Sequence, residues 1–314
     1  MLKKILIIGV AVYVLALVLG FSAYKNVYLA QSLKGTQNYL ASVFFTQSIT
    51  VSDLKQKYLG ASTTEKKVRI LIVPGHEPDY GGAEYKNLKE RDLNVEMAEV
   101  LKDKLSADTR FEIILSRDKN DWNPEIKKYF TEHWADIIAF KTSKKTTMKS
   151  LLNSGQVAKV SDGLKHNAAP DDVAIRLFGL NKWANENGVD IMLHVHFNDN
   201  PRANDSKPGD YRGFAIYVPD KQYSNSKATQ SLALSIFKEL NRSFAVSNLP
   251  KENAGIIPNQ DLIALGQSNS VDGVSLLIEY GYLYRDTFIN LNSRQKIFDE
   301  LGKETYIGIE NFFN

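Results

Sequence analysis

From Val68 onward the chain alternates short apolar runs with stretches of helical spacing, and this alternation restricts the fold more than any other feature. "VRILIV" (68–73) stops at Pro74-Gly75, and "FEIILS" (111–116), "VDIMLHVHF" (189–197), "GFAIYV" (213–218) and "GVSLLIEY" (273–280) repeat the type. Runs this short and this continuously apolar suit strands buried on both faces. Between them, residues 88–105 space Leu93, Met97, Val100, Leu101 and Leu105 for one helical stripe, and 174–187, 228–244 and 293–312 carry similar patterns. The expectation is an α/β domain: a twisted, mostly parallel sheet with helices on both faces.

The segment before this domain is of another kind. Residues 5–24 ("ILIIGVAVYVLALVLGFSAY") carry no charge and follow Lys3 and Lys4. As a helix they would reach about 30 Å, the thickness of a bilayer core. We expect a transmembrane anchor over residues 1–25, with the N-terminus cytoplasmic by the positive-inside tendency and the rest extracytoplasmic. Were the segment cleaved instead, the protein would be secreted. Residues 26–66 read as a connecting region. In it "TVSDLKQKYL" suggests a short helix capped by Ser52 or Asp53, and "GASTTEKK" (60–67) reads as a linker. The domain proper is then 67–314.

Composition narrows the chemistry. A net charge of +3 spread over 314 residues is no concentrated basic face, so nucleic acid is not an expected partner. There is no cysteine, so a metal site must be built from histidine and carboxylate. The chain has only five histidines. Two of them, His194 and His196, lie two residues apart in "IMLHVHFNDN" and share a strand face.

In open α/β sheets ligands gather at the carboxyl ends of the strands. His76 follows the first strand, His196 ends a later one, and Glu279 comes late in "GVSLLIE", where an acid without a partner would be costly. Glu90 opens the helix after the His76 loop. Hydrolytic zinc sites use three nitrogen or carboxylate ligands and keep one position open. Two histidines and one glutamate supply such a set, and the remaining carboxylate can carry protons.

Three blocks, "ILIVPGHEPDYGGAEYKNLKERDLNVEMAEVL", "WANENGVDIMLHVHFND" and "VSLLIEYGYL", resemble the zinc-dependent N-acetylmuramoyl-L-alanine amidases of the Amidase 3 type, in that family's order and spacing. The resemblance covers residue 67 to the C-terminus apart from a middle segment. It implies one zinc ion held by His76, Glu90 and His196, with Glu279 as the catalytic acid, acting on peptidoglycan. His196 matches the histidine of the family's "SIHAN" and Asn198 its asparagine. The implied reaction cuts the amide between N-acetylmuramic acid and the L-alanine of the stem peptide. The alternatives are a catalytically degenerate module that binds wall glycan or an envelope partner, and a peptidase acting within the stem peptide.

The chain departs from the family at four places. Glu77 stands where glycine is usual, adding a carboxylate beside the expected metal, and His194 replaces serine. Ala254-Gly255 stands for an arginine-glycine pair. Leu180 stands for an arginine, with Arg176 one turn earlier. His194 lies about 6.5 Å deeper along the strand than His196, too far for both to share one ion readily. We read it as bonded to a carbonyl or carboxylate, and Asn198 as orienting its loop. His133 and His166 have solvated or packing roles.

Residues 121–170 form a helical insertion. "NPEIKKYFTEHWADIIAFK" starts with Asn123 as cap and Pro124 at the first helical position. It is expected to pack Trp134, Ile137 and Phe140 on the domain. Its sharper readings are a lid over the cleft or the docking point of a protein regulator.

Overall fold

The apolar runs become strands because each can bury both faces. In the computed structural model, which describes residues 48–61, 66–160, 169–200 and 206–314, the main elements follow the expected alternation. They are α1 (Val51–Gly60), β1 (Val68–Pro74), β2 (Glu84–Tyr85), β3 (Leu88–Lys89), α2 (Glu90–Leu105) and β4 (Phe111–Leu115). The insertion supplies α3 (Pro124–Glu132) and α4 (Trp134–Asn153). Then come α5 (Asp171–Glu186), β5 (Ile191–Asn198), β6 (Ala215–Pro219), α6 (Ser226–Ser243), β7 (Ile256–Asn259), β8 (Val274–Tyr282), α7 (Asp286–Ile289) and α8 (Leu291–Phe313).

Six strands make one sheet in the order β4-β1-β5-β8-β6-β7. The four strands β4, β1, β5 and β8 run parallel, as expected. Within the expected, mostly parallel sheet, β6 lies antiparallel to β8, and β7 follows β6 in parallel. β7 was not foreseen from its sequence. It contains Pro258, which an edge strand tolerates because one side of its backbone needs no partner.

Strand parity divides the core. Ile70, Ile72, Leu193, Val195, Leu276 and Ile278 face one side, against Leu93 and Met97 of α2, Leu232 and Ile236 of α6, and Leu301 and Ile309 of α8. Leu71, Val73 and Met192 face the other, against Phe178 and Trp183 of α5 and Phe130 of α3. Each fully buried aliphatic side chain contributes roughly 2 kcal/mol. The second face is also the one to which His194, His196 and Glu279 belong by parity, since residues two apart share a side.

Two local expectations change. The short helix α1 is capped by Thr50, not Ser52 or Asp53: Asp53 N–H donates to the Thr50 hydroxyl oxygen, and the Asp53 carboxylate accepts from the Thr50 backbone in return. The insertion helix starts as expected, with the Asn123 side chain accepting from Glu125 N–H, but it breaks into α3 and α4 at His133. Ile137 is fully buried and Phe140 partly so. Trp134 stays half-exposed and joins no apolar cluster among the described residues.

The expected anchor (1–25), the start of the connecting region, part of the 60–67 linker and His166 lie outside the described residues. Among the described residues no helix is long and apolar enough to cross a membrane.

Candidate metal centre

His76 stands two residues beyond β1. Gly75 N–H still donates to Val195 O at 2.9 Å, so the ladder with β5 holds to the edge of the turn. His76 itself takes a left-handed backbone, with φ 68°. Such a conformation in a non-glycine residue is uncommon and needs support from its surroundings. Support comes from Glu77 N–H, which donates to Tyr80 O at 3.1 Å and closes the turn. Gly81 and Gly82, at φ 86° and 82°, wrap the imidazole. A Cβ at Gly82 would lie 2.9 Å from His76 Cδ2 and 3.2 Å from Glu90 Cβ.

Glu90 is the first residue of α2 and is 5% exposed. Its backbone N–H donates to Ala83 O, while its Oε2 accepts from Ala83 N–H at 2.9 Å. The other oxygen, Oε1, lies 3.0 Å from His196 Nδ1 and accepts from Phe197 N–H at 3.4 Å. His76 Nε2 is 2.9 Å from Glu90 Oε2 yet buried and out of line for a hydrogen bond. The two imidazole rings sit edge to face, 5.0 Å between centroids. One donor atom from each of His76, Glu90 and His196 lies within 4.8 Å of the others. Burial works to raise the Glu90 carboxyl, but His76 and His196 outweigh it and hold it far below the usual range.

An orphaned imidazole nitrogen beside a second imidazole and a carboxylate is what a metal would satisfy. Two nitrogens and one carboxylate, with no thiolate, suit a zinc ion that keeps a free position. The residues present therefore fit the group.

Glu279 pairs with His196 across the β5–β8 ladder, so their side chains stand side by side on one face. One of its carboxylate oxygens, Oε2, is buried without a hydrogen bond. Burial, followed by the charges of Glu90 and Glu252, pushes its carboxyl well above the usual range. His194 is 2% exposed and two register positions deeper than His196, paired with Leu277. Burial, with His196 adding to it, pushes its imidazole down to about 3, so it stays neutral. It faces the Ala264 backbone and is absent from the metal-competent group.

Residues 70–311 match the sequence pattern of the N-acetylmuramoyl-L-alanine amidase family. The chain belongs to that family. Its fold is similar to that of the CwlD amidase from Clostridioides difficile, solved in complex with the GerS lipoprotein. That likeness has 17% identity and a TM-score of 0.50, over 78% of this chain and 98% of that one. It is similar also to the N-acetylmuramyl-L-alanine amidases of Mycobacterium smegmatis (13%, TM-score 0.50, 78% and 96% covered) and Mycobacterium abscessus (12%, TM-score 0.51, 78% and 98% covered). At these identities the likeness is one of fold. No curated protein matches the chain.

Within this family member the substitutions find partners. Glu77, expected beside the metal, has its carboxylate 2.9 Å from Arg176 Nε and is not one of the metal-competent group. Arg176 thus meets the carboxylate that replaces glycine. Asn198, read from the sequence as orienting its loop, bonds a residue not singled out there. Its Nδ2 donates to Glu252 at 2.7 Å. Glu252 is 1% exposed and also accepts from Tyr217 (2.7 Å), Ser247 (2.5 Å) and Tyr282 (2.9 Å). His133 is half-exposed, 3.1 Å from Asp136 and against the Tyr129 ring, so it is both partly solvated and packed.

Arg117 was missed as well. It is 1% exposed, and its guanidinium donates to the carbonyls of Pro74 (3.2 Å), Gly75 (2.5 Å), His76 (2.8 Å), Arg91 (3.0 Å) and Asp118 (2.9 Å). It ties the His76 turn to the start of the Glu90 helix. Gly75 has a role of its own, because an added Cβ would fall 2.2 Å from His196 Cε1 and Nε2. Gly75→Ala should therefore push the imidazole aside and weaken zinc binding about ten- to a hundredfold, the scale of losses when a ligand's support is removed. Calorimetric zinc titration checks this, and parental affinity in the variant would show that the ring is not held there.

Proposed function

We propose that the protein is a zinc-dependent amidase that cuts peptidoglycan between N-acetylmuramic acid and the L-alanine of the stem peptide. The observation that carries this reading is the gathering of His76, Glu90 and His196 at one strand edge, beside a glutamate with an unpartnered carboxylate oxygen. His76, Glu90 and His196 would hold the ion. When bound, zinc supplies Lewis acidity to a carbonyl oxygen and makes water a better nucleophile at neutral pH.

The chain's own residues do the rest. Glu279, as carboxylate, accepts the proton of the attacking water as that water adds to the lactyl carbonyl. The same proton then passes from Glu279 to the alanine nitrogen as the C–N bond breaks. One water is consumed, and a free lactyl carboxylate and a free stem-peptide amine result. Arg117 holds the backbone that presents His76, and Glu90 fixes the His196 ring through Nδ1.

Retention of all four chemical groups favours an enzyme over a degenerate wall-binding module. From the apolar segment at residues 5–24 we also propose that the amidase domain, 67–314, works outside the cytoplasmic membrane, held there by its N-terminus. The test is incubation of the purified protein with sacculi, with and without a chelator, with products read by mass. Release of intact stem peptides with a free L-alanine amine, stopped by chelator and restored by zinc, is expected. Products cut within the peptide would make it a peptidase, and no release under any condition would leave only binding.

A further inference from the structure

The insertion builds one wall of a cleft whose other wall is the loop that leaves His76. A cavity of about 570 Å³ lies between Glu77-Pro78-Asp79, the residues directly after His76, and the stretch from Asn120 to Trp134. Its size falls within the range of small-ligand sites, roughly 300–1,000 Å³. Two indoles line it, Trp122 and Trp134, both half-exposed. Trp122 is braced edge to face by Phe130, 5.2 Å between centroids. Trp134 opens α4, lines the cleft and belongs to no apolar cluster among the described residues.

The charges decide what such a cleft accepts. Arg176 is held by Glu77 and by Asp172, at 2.9 and 2.6 Å. Lys127 pairs with Asp121. The lining carries three carboxylates, Glu77, Asp79 and Asp121, against these two cations. Both cations are already engaged, and the excess charge is negative. A stem peptide brings carboxylates of its own and would find no free cation here. A neutral pyranose suits the lining better: its C–H face packs on an indole, and its hydroxyls donate to carboxylates at the rim.

We propose that this cleft is a subsite for a saccharide ring of the glycan strand, next to the muramoyl unit whose amide is cut. The proposal rests on the amidase reading above and deepens it. The insertion is then neither lid nor spare surface, but the part of the molecule that prefers polymeric glycan to a lone muropeptide.

Peptide-free glycan chains of alternating N-acetylglucosamine and N-acetylmuramic acid contain no scissile amide, so they test the cleft apart from the chemistry. With the full-length protein, these chains should change tryptophan fluorescence on binding. Trp134→Ala should weaken that binding at least tenfold, and Trp134→Tyr should recover most of it. On cleavable substrates, the ratio of kcat/KM for sacculi to that for a monomeric muropeptide should fall about tenfold in Trp134→Ala. A thermal melt of each variant separates loss of fold from loss of stacking, and the Tyr variant keeps the test open if the Ala variant unfolds. Glycan binding indifferent to both variants overturns the subsite, as does binding of the isolated stem peptide through Trp134 in place of glycan. If glycan binds through Trp134 but no substrate is cut, the amidase reading fails and the subsite stands. If substrate is cut and neither variant matters, the subsite alone fails.

Discussion

Glu279→Gln should lower stem-peptide release from sacculi by about a thousandfold while leaving zinc bound. General acid–base catalysis is worth roughly 10² to 10⁴ in rate, and an amide's poor leaving group demands both halves of it. Glutamine fills the same space on β8 beside His196 but can neither take the proton of water nor return it to nitrogen. The ion's three donors are other residues, so zinc content measured by atomic absorption should match the parent. The fold should not suffer. Burial, Glu90 and Glu252 raise the Glu279 carboxyl, so the metal-free native state holds its proton more tightly than the unfolded chain does. A raised carboxyl makes stability fall as pH climbs above the unfolded value near 4.5. Removing the group therefore removes that loss, and at neutral pH with chelator the variant should melt no lower than the parent. Parental turnover in Glu279→Gln would take the proton-carrying role away from this residue.

How much of this was legible in the sequence depends on how local each feature is. The buried strands show as continuous apolar runs because a parallel strand must bury both faces, and β1, β5 and β8 appear close to their expected limits. His196 and Glu279 can be placed on one face from parity once the two strands are neighbours. His76 and Glu90 fall at a strand end and a helix start that the pattern marks plainly.

What stayed hidden depends on partners far away in the chain. Glu77 looks like an added metal-side carboxylate until Arg176, 99 residues on, is seen to hold it. Glu252 sits in a polar stretch, and only the fold brings Asn198, Tyr217 and Tyr282 to it. The reversal of β6 leaves no trace in its own five residues, because a strand buried on both faces reads the same in either direction. His194 and His196 look equivalent in "IMLHVHFNDN". Two register positions separate a ring in the metal-competent group from one buried away from it.

Arg117 gives the second large effect. Arg117→Met should cost about 3 kcal/mol or more and lower Tm by roughly 6 to 12 °C, because five carbonyls in buried or partly buried hydrogen bonds lose the guanidinium, and methionine offers no donor. Burial pushes the guanidinium down to about 10, so it stays charged at neutral pH and its hydrogen bonds keep their strength. Stability is the smaller part of the consequence. Three of those carbonyls, at Pro74, Gly75 and His76, belong to the turn that keeps His76 left-handed, and a fourth, at Arg91, belongs to the helix that Glu90 opens. Without the clamp the turn can relax toward the commoner backbone regions, carrying the His76 nitrogen away from the other two donors. Zinc affinity should then fall by more than tenfold even at temperatures where the variant is fully folded. Arg117→Lys should rescue little of either effect, since one ammonium group cannot span carbonyls on two segments as a planar guanidinium does. Calorimetric zinc titration well below the variant's Tm separates the two roles. Lowered Tm with parental zinc affinity would make Arg117 a stabilising residue only; loss of both identifies it as the group through which the β1 turn and the α2 start are held at one metal-binding distance.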